Sequence, residues 1–266
     1  MPVYERLSMV VSFTLIGLAL YFIIDLPTQH FTFEVFGLPV TITASVRLLM
    51  ATLLGGLAFT GSGAVVRAHS NRQPPYTVPF WVNATLIVIL ATLTLARLGS
   101  PLAWAIGLLV TGILLWFTIL AEYYVLEGEE KTLGLARLWS QWVSYALMLA
   151  HATLIYEAQM APIFNVVSMF LLAGLLGLSI YKLYAPAGKS IGLFGFLTAL
   201  GMGEIAWAFN YWRLNATGLG LLTLLIFYLL SGIVISYLQN KLSRRVLAEY
   251  AAVMLLGLWI ITQFLG

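Results

Sequence analysis

The sequence predicts an all-α membrane protein, a single polytopic domain over residues 1–266 built as a bundle of about nine transmembrane helices. Three observations carry that reading. Charged residues make up 9% of the chain against 61% hydrophobic, with a mean hydropathy of +0.98; a soluble domain carries about 25% charged residues. Apolar runs of about 20 residues, long enough to cross a bilayer, recur along the whole chain. The breaks between them hold the strongest helix punctuation, at Pro27, Pro74-Pro75, Gly99-Ser100-Pro101, Gly128, Pro162, Pro186 and Gly188.

The predicted spans are 7–26, 44–66, 78–98, 102–125, 134–157, 162–184, 190–212, 217–239 and 246–264. The first follows Arg6, exceeds the usual apolar core of a signal peptide and lacks a small-x-small cleavage pattern, so it reads as a retained helix. Between the first two spans, His30 to Thr43 (HFTFEVFGLPVTIT) alternates apolar and polar residues on either side of a Gly37–Pro39 turn. That period of two predicts a short outer β-hairpin. The connection 67–76 is polar and broken by proline. In 126–132 (LEGEEKT), Glu129 and Glu130 open the fifth helix, where acids complement the N-terminal dipole. Before the ninth helix, Arg245 and Glu249 stand one turn apart, in reach of a surface ion pair.

Basic residues set the orientation. With the N-terminus in the cytoplasm, the inner side collects Arg6, Arg67, Arg72, Lys131, Arg137, Lys182, Lys189, Lys241, Arg244 and Arg245. The outer side keeps Arg47, Arg97 and Arg213. This positive-inside bias predicts a multi-pass protein of the cytoplasmic (inner) membrane with its C-terminus outside. Three outer acids, Asp25, Glu34 and Glu157, match the three outer bases and are expected to pair with them.

Composition also excludes chemistry. The chain has no cysteine, hence no disulfide, thiolate metal site or cysteine nucleophile. A net charge of +3 spread between apolar runs is no nucleic-acid footprint. His30, His69 and His151 fall at different depths, which argues against a metal site. Ser62 and His69 lie on one helix without a partner histidine, and no phosphate-cradling loop or cofactor motif occurs. No cofactor or catalytic residue is expected, and the balance leans against an enzyme.

The residue that stands out is Glu204, near the middle of IGLFGFLTALGMGEIAWAFNYWR (191–213). A charge at that depth costs about 2.5–3.5 kcal/mol on insertion scales, so it needs a partner, a water-filled cavity or a bound proton. Gly195, Ala199 and Gly203 recur every four residues as a ridge for close helix approach. Glu204, at the edge of that ridge with Trp207 one turn on, is expected to face protein. His151, Asn210 and Trp207 join it as candidate ligand-binding or proton-site residues. Glu122 and Glu157 lie nearer the span ends. Gly55, Gly56, Gly61 and Gly63 are a second small-residue surface that the Gly195 and Gly203 ridge is suited to face.

The Gly203-Glu204 pair followed by Trp207, with KLSRRVLAEY (241–250) leading into the last helix, resembles a bacterial family of uncharacterised multi-spanning membrane proteins. The resemblance covers the C-terminal third, implies no activity, and adds weight to Glu204. Two functional readings follow. One is a transporter-like bundle that binds a small or lipophilic ligand at the central carboxylate. The other is a non-catalytic accessory subunit that packs against a partner membrane protein within the lipid bilayer. An intramembrane lipid-modifying enzyme comes third.

Overall fold

The computed structural model describes residues 3–23, 29–35, 38–44, 46–67, 78–128, 130–185, 191–212 and 214–265. Among the described residues nine α-helices follow one another: α1 (Val3–Ile23), α2 (Val46–Arg67), α3 (Val82–Leu95), α4 (Pro101–Glu127), α5 (Glu130–Glu157), α6 (Pro162–Tyr184), α7 (Ile191–Phe209), α8 (Ala216–Leu238) and α9 (Arg244–Leu265). Six of them, α1, α2, α4, α6, α7 and α8, contain stretches long and apolar enough to cross a membrane. Helix α3 is apolar but has only 14 residues, because Val78–Phe80 ahead of it is a 3-10 turn. The boundaries follow local chemistry. Ser100 caps α4 by accepting from the Ala103 N–H, Pro101 takes the first helical position, and Gly128 ends the helix at φ 72°. Asn215 caps α8 by accepting from the Gly218 N–H at 2.7 Å.

Between α1 and α2, β1 (Gln29–Val35) and β2 (Leu38–Ala44) pair antiparallel, Gln29 opposite Ala44 and Val35 opposite Leu38. Pro39 stands within β2 opposite Glu34, not in the turn as the sequence reading had it. A two-stranded pair has only edge strands, where a missing N–H is tolerated. The pairing alone assigns these strands to neither side of a membrane. Asp25, His69, Arg72, Glu129 and Arg213 lie outside the described residues, as do the side chains of His30, Glu34 and Arg47. The expected outer ring of acids and bases and the 67–76 loop fall largely there.

The chain forms two compact units, Met1–Thr132 and Leu133–Gly266. In the first, α1 touches α2 and α4, and α3 touches the same two helices. Glycines allow the close approaches. A Cβ on Gly61 would stand 2.7 Å from Val10, one on Gly112 2.9 Å from Leu15, and one on Gly63 2.8 Å from the Trp81 ring. The Trp81 ring is also met edge-on by Phe59 and lies 5.1 Å beneath the Arg67 guanidinium. Gly55, Gly61 and Gly63 of α2 are therefore met by α1, α3 and Trp81 of their own unit, whereas Gly56 has open space around it. The contacts that the sequence reading offered to the Gly195 and Gly203 ridge are thus taken, at these three glycines, within the first unit.

In the second unit the tightest pair is α6 and α7. The ridge expected from the sequence is the contact surface: a Cβ on Gly174 would lie 3.1 Å from the Ala199 Cβ, and one on Gly195 2.6 Å from Leu178. Two polar clasps join the same helices, Tyr181 with Thr198 at 2.6 Å and Asn165 donating to Asn210 at 2.8 Å. Helix α8 packs on α6, α7 and α9. It comes close to α5 at Gly220, where a Cβ would run into Thr153 Oγ1 and lie 3.3 Å from the Thr153 backbone nitrogen. At the start of α9 the ion pair between Arg245 and Glu249 forms at 3.1 Å, as their spacing suggests.

These geometries separate three glycines by experiment. Gly220→Ala should lower the melting temperature in detergent, since overpacking costs about 1–3 kcal/mol. Gly203→Ala, whose new Cβ would find ordinary contacts 3.6 Å from Phe170 and 3.7 Å from Val166, should be close to neutral. Gly56→Ala, with open space around it, should raise stability by about 0.5–1 kcal/mol through helix propensity. A tolerated Gly220→Ala would mean that α5 and α8 do not touch there.

Candidate functional site

The four residues singled out by the sequence do not converge. Glu204 lies on the exposed side of α7, with Trp207 45% exposed beside it. The expectation that the carboxylate faces protein is thus overturned, and helix geometry gives the reason. The buried arc of α7 is centred on Ala199, Met202 and Ala206, at 2%, 0% and 0% exposure, with Gly203 at its edge. Glu204 is about 200° round the helix from Met202, on the face that carries Leu193, Leu197, Leu200 and Tyr211, all exposed. Ala206, one turn beyond Gly203, is the residue that pulls the contact surface away from the acid.

Asn210 is the expected candidate that does engage. Its Oδ1 accepts from Asn165 Nδ2 at 2.8 Å, and its own Nδ2 donates to the Ala206 carbonyl at 2.7 Å. The Asn165 side chain is buried at 4% exposure, so this is a helix clasp near one end of the α6–α7 pair. His151 is buried at 7% exposure and bonds within its own helix, Nδ1 to the Leu147 carbonyl at 3.0 Å. A carbonyl only accepts, so Nδ1 carries a proton. Glu122 of α4, near the inner end of its predicted span, is buried to 1% exposure in the first unit.

A different site emerges in the second unit. Helices α5, α8 and α9 enclose a cleft of about 500 Å³ lined by Leu138, Gln141, Trp142, Tyr145, Tyr228 and Ile260, with Leu221, Leu224, Leu225 and Gly257 completing the wall. That is within the 300–1,000 Å³ usual for small-molecule pockets. Leu138, Trp142 and Ile260 form an exposed rim, so the cleft opens sideways from the helices. It has one polar wall. Tyr184 donates to Gln141 Oε1 at 2.6 Å, Gln141 Nε2 donates to the Tyr145 hydroxyl at 3.3 Å, and Tyr145 bonds Ser231 at 3.0 Å. Ser231 in turn donates to the Tyr228 carbonyl at 3.2 Å. The Arg137 guanidinium stands over the Tyr184 ring, 6.0 Å from its centroid.

None of these residues was singled out from the sequence, although a signal was present. Arg137, Gln141 and Tyr145 recur every four residues, drawing a polar line down one face of an otherwise apolar helix. The pattern is quieter than a central carboxylate because only one of the three carries a charge.

Six helices long and apolar enough to cross a membrane suggest a multi-helix protein of the membrane. The chain belongs to a particular family: it matches the one described as "Protein of unknown function (DUF5656)" over residues 26–264, a stretch that runs through both units. No curated protein and no solved structure matches the chain.

The contrast between Asn210 and Glu204 is measurable. Asn210→Leu should destabilise by about 1–3 kcal/mol, because it strands the buried Asn165 amide. Glu204→Leu, at an exposed position, should leave the melting temperature unchanged within about 0.5 kcal/mol or raise it. The reverse ranking would put Glu204 back inside the packing.

Proposed function

We propose that this protein is a multi-pass membrane protein that binds a small lipophilic molecule in the cleft between α5, α8 and α9. The cleft itself is the observation that carries the reading: about 500 Å³ of apolar space with a single polar wall, open sideways between helices. A ligand dissolved in the bilayer enters such a site without crossing water, and the polar wall orients it. The site is one of binding; nothing in it pairs a nucleophile with a base, so transport or presentation of the ligand suits it better than turnover.

Leu224 sits in the cleft wall and Leu171 on the exposed face of α6. Leu224→Trp should abolish the lipophilic molecule that the wild-type protein retains through detergent purification, as read by native mass spectrometry. Leu171→Trp should retain it. Equal retention in both variants, or none in the wild type, would remove the cleft as the binding site.

The face of α7 favours a second reading, an accessory subunit. Leu193, Leu197, Leu200, Trp207 and Tyr211 make an exposed stripe at seven-residue periodicity with Glu204 in its middle. A partner helix offering a donor at mid-depth would relieve the carboxylate.

The proposal includes the orientation, cytoplasmic N-terminus and outer C-terminus in an inner membrane, for which the distribution of basic residues argues. Three long apolar helices, α6, α7 and α8, separate Gln159 from Ser243; with each of them crossing once, the proposal puts the two residues on opposite sides of the membrane. The chain is free of cysteine. A single Gln159→Cys should react with an impermeant maleimide in intact cells, and Ser243→Cys only after the membrane is opened. The opposite pattern would invert the orientation, and labelling of both in intact cells would break the span count.

A further inference from the structure

Hydrogen-bond directions around the cleft specify the ligand further. The chain of donors runs one way, from Tyr184 to Gln141 to Tyr145 to Ser231 to the Tyr228 carbonyl. Each hydroxyl hydrogen in it is used. The Gln141 amide has two N–H groups and spends one on Tyr145, leaving the other for the cleft. Turning the amide over leaves Gln141 with the same spare N–H, since it would then donate once to Tyr184 and accept from Tyr145; the Tyr184 hydroxyl hydrogen would be released in addition. The polar wall therefore offers a donor to an incoming molecule.

One turn before Gln141 on the same face of α5 is Arg137, part-buried, with its Nε buried and without a hydrogen-bond partner among the described residues. Its guanidinium and the Gln141 amide flank the same Tyr184 side chain, one over the ring and one at the hydroxyl. A buried guanidinium donor without an acceptor is unusual enough to ask for one. Gln141 lines the cleft and Arg137 stands one turn outside its lining; away from Gln141 the walls are aliphatic and aromatic, through Leu138, Trp142, Leu221, Leu224 and Leu225. Arg137 is also seven residues into α5, about 10 Å along its axis, within two turns of the helix start.

We infer that the cleft takes an anionic amphiphile, its carboxylate or phosphate head held by Arg137 and the spare N–H of Gln141 and its aliphatic tail laid between α5, α8 and α9. This rests on the proposed cleft binding and adds the chemistry of the head. An acid is held by charge-assisted bonds that a neutral alcohol of the same chain length does not make. Tyr145 and Ser231, whose hydrogens are committed, orient Gln141 without meeting the ligand as donors.

The test uses the full-length protein in a neutral detergent and two brominated probes of equal chain length, a fatty acid and the corresponding fatty alcohol. Bromine against Trp142 quenches its fluorescence, and Trp142→Phe identifies that share of the signal. The acid should bind the wild type about tenfold more tightly than the alcohol. Arg137→Gln should bring the acid down to the level of the alcohol while leaving alcohol binding unchanged, which also shows that the variant is folded. Arg137→Lys should keep part of the preference through its charge. Equal binding of acid and alcohol to the wild type, or an acid preference that survives Arg137→Gln, overturns the head-group assignment while the cleft stands. Failure of both probes to quench Trp142 removes the cleft reading, and this inference with it.

Discussion

Polar atoms inside an apolar helix bundle have no water to turn to, and this constraint organises the structure. Most hydroxyls solve it locally. Thr14, Ser62, Thr92, Thr111, Ser144, Thr153 and Ser236 each donate to the carbonyl one turn back in their own helix, at 2.7–2.9 Å. That arrangement satisfies a buried serine or threonine hydroxyl within its own helix, at a slight cost to the helix. Among the described residues, side-chain bonds between helices of the second unit each involve a tyrosine or an amide: Asn165 with Asn210, Tyr181 with Thr198, Tyr184 with Gln141, Tyr145 with Ser231, and Thr223 with Tyr156.

Small residues complete the packing, because within lipid there is little hydrophobic drive between helices and close contact must come from shape. On α6 and α7 the glycines are spaced to let backbones meet. On α5 they are not. It approaches α8 at the Gly220–Thr153 contact and is tied to it again by Tyr145 and Ser231. Large side chains on its remaining face, Leu138 and Trp142 with Tyr228 opposite, hold the helices apart, and the cleft is the space left between them. The cleft is thus a consequence of where small residues stop.

The helical plan was legible in the sequence because length, hydropathy and punctuation act locally. Ser100-Pro101 and Gly128 bound α4 where their backbone preferences place a start and an end. The Gly195–Ala199–Gly203 ridge was legible for the same reason, a period of four along one helix. What escaped was rotation. Reading Glu204 as inward required knowing which residues centre the buried arc, and Met202 and Ala206, neither unusual for an apolar helix, shift it away from the acid. The cleft escaped because it is made by α5 together with α8 and α9, which come much later in the chain. Its polar line on α5 has meaning only once Tyr184 and Ser231 arrive from α6 and α8. The glycines of α2 teach the same lesson, since small-residue surfaces advertise a contact without naming the partner, and α1 and α3 took it.

The central claim is that the donors left over by internal hydrogen bonding mark where this protein meets its ligand. An experimental structure in lipid nanodiscs tests it most directly. The account predicts elongated density between α5, α8 and α9, with its polar end within hydrogen-bond distance of Gln141 and Arg137. A cleft closed by α9 and filled by the Trp142 and Tyr228 side chains, with Arg137 turned to solvent, would contradict it.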